Sequence, residues 1–146
     1  MGKILIALGG RRVKPSATGY DVFLVAGQSN ALGAGVGQDQ DLDAPHKDVH
    51  QFAGSGRNAM RILAGKYPFW HHTRAPGVGV AQTFGKLHTE ATGRPVLLVP
   101  VARGESGFYP QGGYTWDPDD ATGTPNLFTF ACKQLHLALT TAPCGA

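Results

Sequence analysis

Two apolar runs dominate the hydrophobic pattern: the strand Asp21-Val22-Phe23-Leu24-Val25-Ala26, apolar from Val22 on, and Val96-Leu97-Leu98-Val99-Pro100-Val101. Both are too short for helices and rich in β-branched residues, and the first is closed by Gly27, so both read as strands. Apolar residues at every position, rather than every second one, mean a strand covered on both faces, as in a parallel sheet. Between the runs, Val80, Ala81, Phe84, Leu87 and His88 recur at helical spacing while Lys86 and Glu90 face outward. That spacing predicts a helix over 78–92, with Gly93 as the residue that ends it. Strand, helix and strand in succession imply a βαβ unit with a right-handed crossover. A second amphipathic stretch, Leu127, Phe128, Ala131, Leu135, Ala138 and Leu139, predicts a helix over 125–140 with Asn126 as its N-cap.

The rest of the pattern is weaker. From 44 to 75 there is no steady period. Val49-His50-Gln51-Phe52 reads as a short strand, Gly54-Ser55-Gly56 as a turn, and Tyr67-Pro68-Phe69-Trp70-His71-His72 as a Pro-interrupted aromatic cluster. A segment this long without period is a covering or functional loop. His71 and His72 are adjacent and point opposite ways on an extended chain, so they read as loop packing and receive no role. Asp39-Gln40-Asp41-Leu42-Asp43 lacks the glycine and distal glutamate of a calcium loop and reads as a solvated loop.

A chain of 146 residues is one domain, burying about two-thirds of its unfolded surface. Residues 1–20 form a lead-in strand and polar connector, and 21–146 the domain. The apolar run at 4–8 is too short for a secretory h-region. A cytoplasmic product and a phage- or virion-associated module both remain open. The net charge is +3, without a Lys/Arg stripe, which argues against a nucleic-acid partner. No window reaches 18 apolar residues, so no membrane span is expected. Cys132 and Cys144 lack metal-ligand spacing and read as free thiols, with a disulfide left open.

The candidate chemistry sits at Gly27-Gln28-Ser29-Asn30, directly after the first strand. Gly27 allows a sharp turn. A serine on such a turn presents its hydroxyl beside backbone N–H groups that could hold an oxyanion. The plain alternative is that Ser29 or Asn30 is an N-cap. Topology adds an independent pointer. In parallel sheets ligands bind at the carboxyl ends of the strands, and Ser29 and Gly104 each follow one of the two clearest strands. Gly104 could donate a second backbone N–H to the oxyanion, or be an ordinary turn glycine. Tyr109, Tyr114 and Trp116, in the Gly/Pro-rich loop beyond, could stack on a sugar ring or cap the core edge.

Gly27-Gln28-Ser29-Asn30, followed by Ala31 and Gly33, resembles the nucleophile block of the SGNH-hydrolase superfamily, and more narrowly its sialate O-acetylesterase and carbohydrate-acetylesterase branch. Two further stretches resemble that branch in the right order. They are Gly77-Val78-Gly79-Val80-Ala81-Gln82-Thr83-Phe84, and the strand from Pro95 that ends in Ala102-Arg103-Gly104-Glu105-Ser106. The resemblance implies an α/β fold of three α/β/α layers on a parallel, flavodoxin-like sheet, truncated at its C-terminal side. It implies hydrolysis of O-acetyl esters on carbohydrate. Ser29 would be the nucleophile and Gly104 an oxyanion donor, with Gln28, Asn30, Arg103, Glu105 and Ser106 around the substrate and no cofactor or metal. Gly104-Glu105-Ser106 departs from the Gly-Gly-Thr common in the branch.

The family's C-terminal Asp-x-x-His pair, its base and orienter, has no counterpart late in this chain. Asp43-Ala44-Pro45-His46 has the spacing but lies between the first helix and the second strand, and reads as coincidence. General-base assistance is typically worth about 10²–10⁴-fold, so weak turnover is expected. A truncated sheet would also expose an edge that invites pairing or a homo-oligomer. The competing reading is a non-catalytic carbohydrate-binding or structural module that keeps the fold. A nucleotide binder using Gly33-Ala34-Gly35-Val36-Gly37 is disfavoured, because neither the G-x-G-x-x-G nor the Gly-Lys-Ser/Thr pattern is present.

Overall fold

β4 (Val96–Pro100) is the centre of the fold, flanked on both sides by parallel strands in a four-stranded sheet of order β1-β4-β2-β3. The computed structural model describes residues 18–54, 56–73, 77–110 and 112–142. The lead-in strand expected near the N-terminus and Cys144 lie outside these, and Cys132 is an exposed free thiol. In chain order the elements are β1 (Asp21–Val25), α1 (Ser29–Leu32), β2 (Val49–Ala53), a 3₁₀ turn (Gly56–Asn58), β3 (Arg61–Ala64), α2 (Ala81–Thr92), β4 and α3 (Leu127–Thr141). β1 and β2 both run parallel to β4, while β3 returns antiparallel to β2. The sheet is therefore mixed: the expected parallel core carries one antiparallel edge strand.

The unbroken apolar run of β4 follows from its place. Leu97, Val99 and Val101 pack with Tyr20, Phe52 and the α3 residues Ala131 and Ala138 on one face. Val96 and Leu98 pack with Val49, Phe69 and Ala81 of α2 on the other. Three layers result, with one helix on each side. β2 is equally buried but carries two polar side chains, and each finds partners. Tyr20 Oη and His50 Nδ1 share a hydrogen bond of 2.7 Å. Gln51 Nε2 donates to the carbonyls of Ala64 and Lys66 at 3.0 and 3.2 Å, and its Oε1 accepts from Trp70 N at 2.9 Å.

Helix ends follow local chemistry. Gly93 adopts φ +68° and returns its N–H to Thr89 O at 2.8 Å, ending α2 where the spacing predicts. Asn126 Oδ1 accepts from Thr129 N at 3.0 Å, the expected cap of α3. α2 begins at Ala81 rather than 78, because Val78 is taken up in a bridge to Gly35. The amino end of β1 is tied to α2 by Asp21, whose Oδ2 lies 2.8 Å from His88 Nε2 and whose Oδ1 accepts from Arg94 Nε at 2.6 Å. The His88 hydrogen bond first, and Arg94 second, hold the Asp21 carboxyl below the usual carboxylate range.

Among the described residues the outer edge of β1 has no strand partner. Leu24 on that edge is 41% exposed, and a groove of about 670 Å³ runs past it between Ala26, Phe108, Trp116, Phe128 and Leu135. No helix among the described residues is long and apolar enough to cross a membrane.

Leu97 is fully buried and Leu24 is not, so truncation should separate centre from edge. Leu97→Ala is expected to cost about 2–5 kcal/mol in denaturant unfolding. Leu24→Ala should cost clearly less.

Candidate active site

The hydrogen-bond register between β1 and β4 continues beyond the strands. Val101 N donates to Val25 O, and Arg103 N donates to Gly27 O, both at 3.0 Å. The loops that leave the two strands therefore emerge side by side at the carboxyl edge of the sheet, where α/β ligand sites form. Gly27 takes φ +133°, which only glycine adopts readily, and turns the chain into α1. α1 is a single turn, closed by Leu32 N on Gln28 O at 2.9 Å and Gly33 N on Ser29 O at 3.1 Å. Its Leu32 is buried, and a Cβ placed on Gly104 would lie 3.4 Å from Leu32 Cδ2. The Gly104 backbone thus rests against the turn that begins with Ser29.

Ser29 is half-buried at this rim rather than packed in the interior. Its Oγ donates to Gln28 Oε1 at 2.8 Å, and its backbone N–H donates to the same oxygen at 3.0 Å. One amide oxygen therefore occupies both groups that an attack on an ester would use.

Glycines back the turn from below. Gly35 and Val78 exchange backbone hydrogen bonds of 3.0 Å in both directions. A Cβ on Gly77 would fall 2.0 Å from Gly35 O, and one on Gly79 would fall 2.8 Å from Asn30 O. Tyr67 Oη donates to Gly79 O and holds the segment from the other side. Close approach of two backbones explains the glycines in both stretches.

Arg103 is fixed in place. Its guanidinium lies 3.6 Å over the Tyr114 ring, and its Nη1 donates to His72 Nδ1 at 3.2 Å. His72 is wedged edge-on against Tyr114 and Phe130, each at 4.9 Å between centroids. Burial, and then the Arg103 charge, push the His72 pKa down and keep the ring neutral, as an acceptor must be. The next two residues differ in kind. Glu105 is exposed and sits at φ +55°, an unusual conformation for a residue with a Cβ. Ser106 is buried. Its Oγ donates to Arg103 O at 2.7 Å and accepts from Trp116 Nε1 at 2.9 Å, tying the loop together. Gln28 and Asn30 are exposed.

The three aromatic residues split. Tyr114 lies under Arg103, Trp116 packs against the core, and Tyr109 is exposed. The adjacent histidines diverge as an extended chain requires. His71 is buried, its Nδ1 accepts from Ala102 N at 2.9 Å, and burial lowers its pKa to about 4. His72 reaches the Arg103 cluster instead. The spacing could show that the two point apart, but not which way either points. In the Asp43-x-x-His46 stretch both side chains are spent locally, Asp43 Oδ2 on Asp39 N at 2.9 Å and His46 Nδ1 on Asp48 N at 3.2 Å. Lys86 Nζ pins that loop to the carbonyls of Asp41 and Leu42 at 2.7 and 2.9 Å.

The fold is thus a three-layer α/β arrangement with Ser29 on the turn after its first strand. Residues 19–138 match the family model described as "Carbohydrate esterase, sialic acid-specific acetylesterase", and the chain belongs to that family. Among solved structures it is similar to NanS, with a TM-score of 0.64 and 23% identity, over 89% of this chain and 51% of that one. It is also similar to a protein from Arabidopsis thaliana, with a TM-score of 0.61 and 18% identity, over 84% of this chain and 53% of that one. At these identities the likeness shows the fold, and the chain spans about half the length of each. A search of curated proteins finds no match.

Two expectations follow. His71 titrates at its ordinary 6.5 when unfolded and at about 4 when folded. Its contribution is therefore complete above pH 6.5 and is lost as pH falls toward 4, a span worth about 3 kcal/mol. His71→Asn, which keeps an acceptor for Ala102 N, should flatten unfolding free energy against pH over this window. Gly77→Ala forces a methyl onto Gly35 O and should cost about 1–3 kcal/mol in thermal or denaturant unfolding.

Proposed function

We propose that this chain carries the nucleophile and oxyanion side of an esterase that removes O-acetyl groups from sialic acid or related acetylated sugars. The observation that supports it most is the pairing of Arg103 N with Gly27 O, which sets the Ser29 turn beside the Gly104 loop. In this reading Ser29 Oγ attacks the acetyl carbonyl and gives up its proton to a general base. The tetrahedral oxyanion accepts from the N–H groups of Ser29 and Gly104, at about 2.7–3.1 Å. Collapse expels the sugar hydroxyl, which takes the proton, and leaves acetyl-Ser29. Water then attacks the acetyl group and acetate departs. Gln28 has a defined part in this sequence. Its Oε1 covers the Ser29 N–H, so it swings away as the substrate oxygen arrives. Asn30 and Glu105 line the exposed rim.

The base is a separate matter. Gln28 Oε1 is an amide oxygen and cannot take up the serine proton. Among the described residues no imidazole or carboxylate hydrogen-bonds to Ser29 Oγ. Where no base reaches Ser29, the rate falls by about 10²–10⁴-fold.

The test is acetate release from p-nitrophenyl acetate and from O-acetylated sialic acid, comparing the chain with Ser29→Ala. Slow release that disappears in the variant is expected, together with labelling of Ser29 by a fluorophosphonate. Equal rates in both proteins and no label at Ser29 would sink the esterase reading and leave a binding module.

A further inference from the structure

We propose that Arg103, stacked on Tyr114 and hydrogen-bonded to His72, is the specificity-determining residue that receives a carboxylate of the substrate. The inference rests on the esterase reading for its location and adds the residue that selects the acidic sugar.

Four observations carry it. The first is place. Arg103 N is bonded to Gly27 O, two residues before Ser29, and Gly104 follows Arg103 directly, so the side chain springs from the loop that flanks the nucleophile.

The second is charge. The ion pairs among the described residues join Lys47 to Asp48, and Asp21 to His88 and Arg94, and none involves Arg103. Its one side-chain hydrogen bond goes to a neutral imidazole, so the positive charge is left without a counter-charge. Neighbouring Glu105 does not supply one, for no oxygen of it lies within 4 Å of the guanidinium nitrogens.

The third is orientation. The flat face of the guanidinium is covered at 3.6 Å by Tyr114, and His72 takes one Nη1 hydrogen. The donors that remain lie along the edge of the plane, in the fork that matches the two oxygens of a carboxylate. Holding the side chain in advance removes much of the rotamer cost of binding.

The fourth is environment. Arg103, His72 and Tyr114 are all partly buried, with Phe130 behind the imidazole, so an anion here is less screened than at an open surface. A guanidinium serving only to tie loops together is usually spent on carbonyls or carboxylates. This one keeps most of its donors unused.

The class of ligand follows. A neutral acetylated sugar would leave this fork unpaired. An acidic sugar, with a carboxylate on the ring carbon skeleton and an acetyl ester elsewhere, satisfies the fork while offering its ester to Ser29. That agrees with the sialic acid in the family description.

The experiment is a binding measurement, so that it does not depend on turnover. The methyl glycoside of N-acetylneuraminic acid and the methyl ester of its carboxyl group are titrated into the full chain by calorimetry or ligand-observed NMR. The free acid is expected to bind at least about tenfold more tightly than the ester. Arg103→Gln should erase that preference. Arg103→Lys keeps the charge but loses the planar fork and the stacking, and should recover only a small part of it. Melting curves establish that each variant is folded, and Arg103→Lys gives the reading if Arg103→Gln does not fold. Equal binding of acid and ester by the unmodified chain overturns the proposal, as does a preference that survives in Arg103→Gln. Acetate release that depends on Ser29 without any charge preference would refute this inference and leave the esterase reading standing. A charge preference that depends on Arg103, with no Ser29-dependent release, would do the reverse.

Discussion

Two backbone hydrogen bonds, Val101 N to Val25 O and Arg103 N to Gly27 O, hold the site in place. They lie past the ends of β1 and β4, where the chains would otherwise diverge into independent loops. A one-turn helix such as α1 has little stability of its own, since nucleating a turn costs more than one turn returns. It persists here because Leu32 is buried, Gly104 lies against it, and Gly77 and Gly79 let a second backbone close in behind. Ser29 is positioned by the sheet, and the helix it begins is a consequence of that.

The polar groups divide along the same line. At the amino end of β1, Asp21 spends its carboxylate on His88 and Arg94, a closed arrangement that binds helix to strand. Within the sheet, Gln51 uses both ends of its amide. At the carboxyl edge the pattern changes. Among the described residues Arg103 has no counter-charge, Gln28 sits on Ser29 by local bonds that a ligand can displace, and Glu105 holds a disfavoured φ. Saturated polar groups at one end of a sheet and unsaturated ones at the other mark which end is scaffold and which meets ligand.

Much of the frame was legible from apolar period alone. β4, α2 and α3 came from runs and spacings, and Gly93 and Asn126 from end chemistry, because each signal is local. β3 was not legible: Arg61-Ile62-Leu63-Ala64 is four residues long, and its place at the sheet edge is decided by pairing with β2. The start of α2 was misjudged for a similar reason, since Val78 is claimed by Gly35 from far away in the chain. At the site, the adjacency of Ser29 and Gly104 was readable from topology, because strand order brings their loops to one edge. His72 was not, since its position depends on a loop that folds back over the sheet to meet Arg103, Tyr114 and Phe130. Nor could spacing show that Ser106 would be buried and spent on its own loop.

One further consequence comes from the place of β1. It is a border strand and also the stem of the Ser29 turn, braced on one flank by β4 and bare on the other among the described residues. A stem braced from one side is more compliant than one clasped between neighbours. Any polypeptide laid along the bare flank, from this molecule or another, stiffens the stem and, through the three residues between Val25 and Ser29, the Ser29 turn.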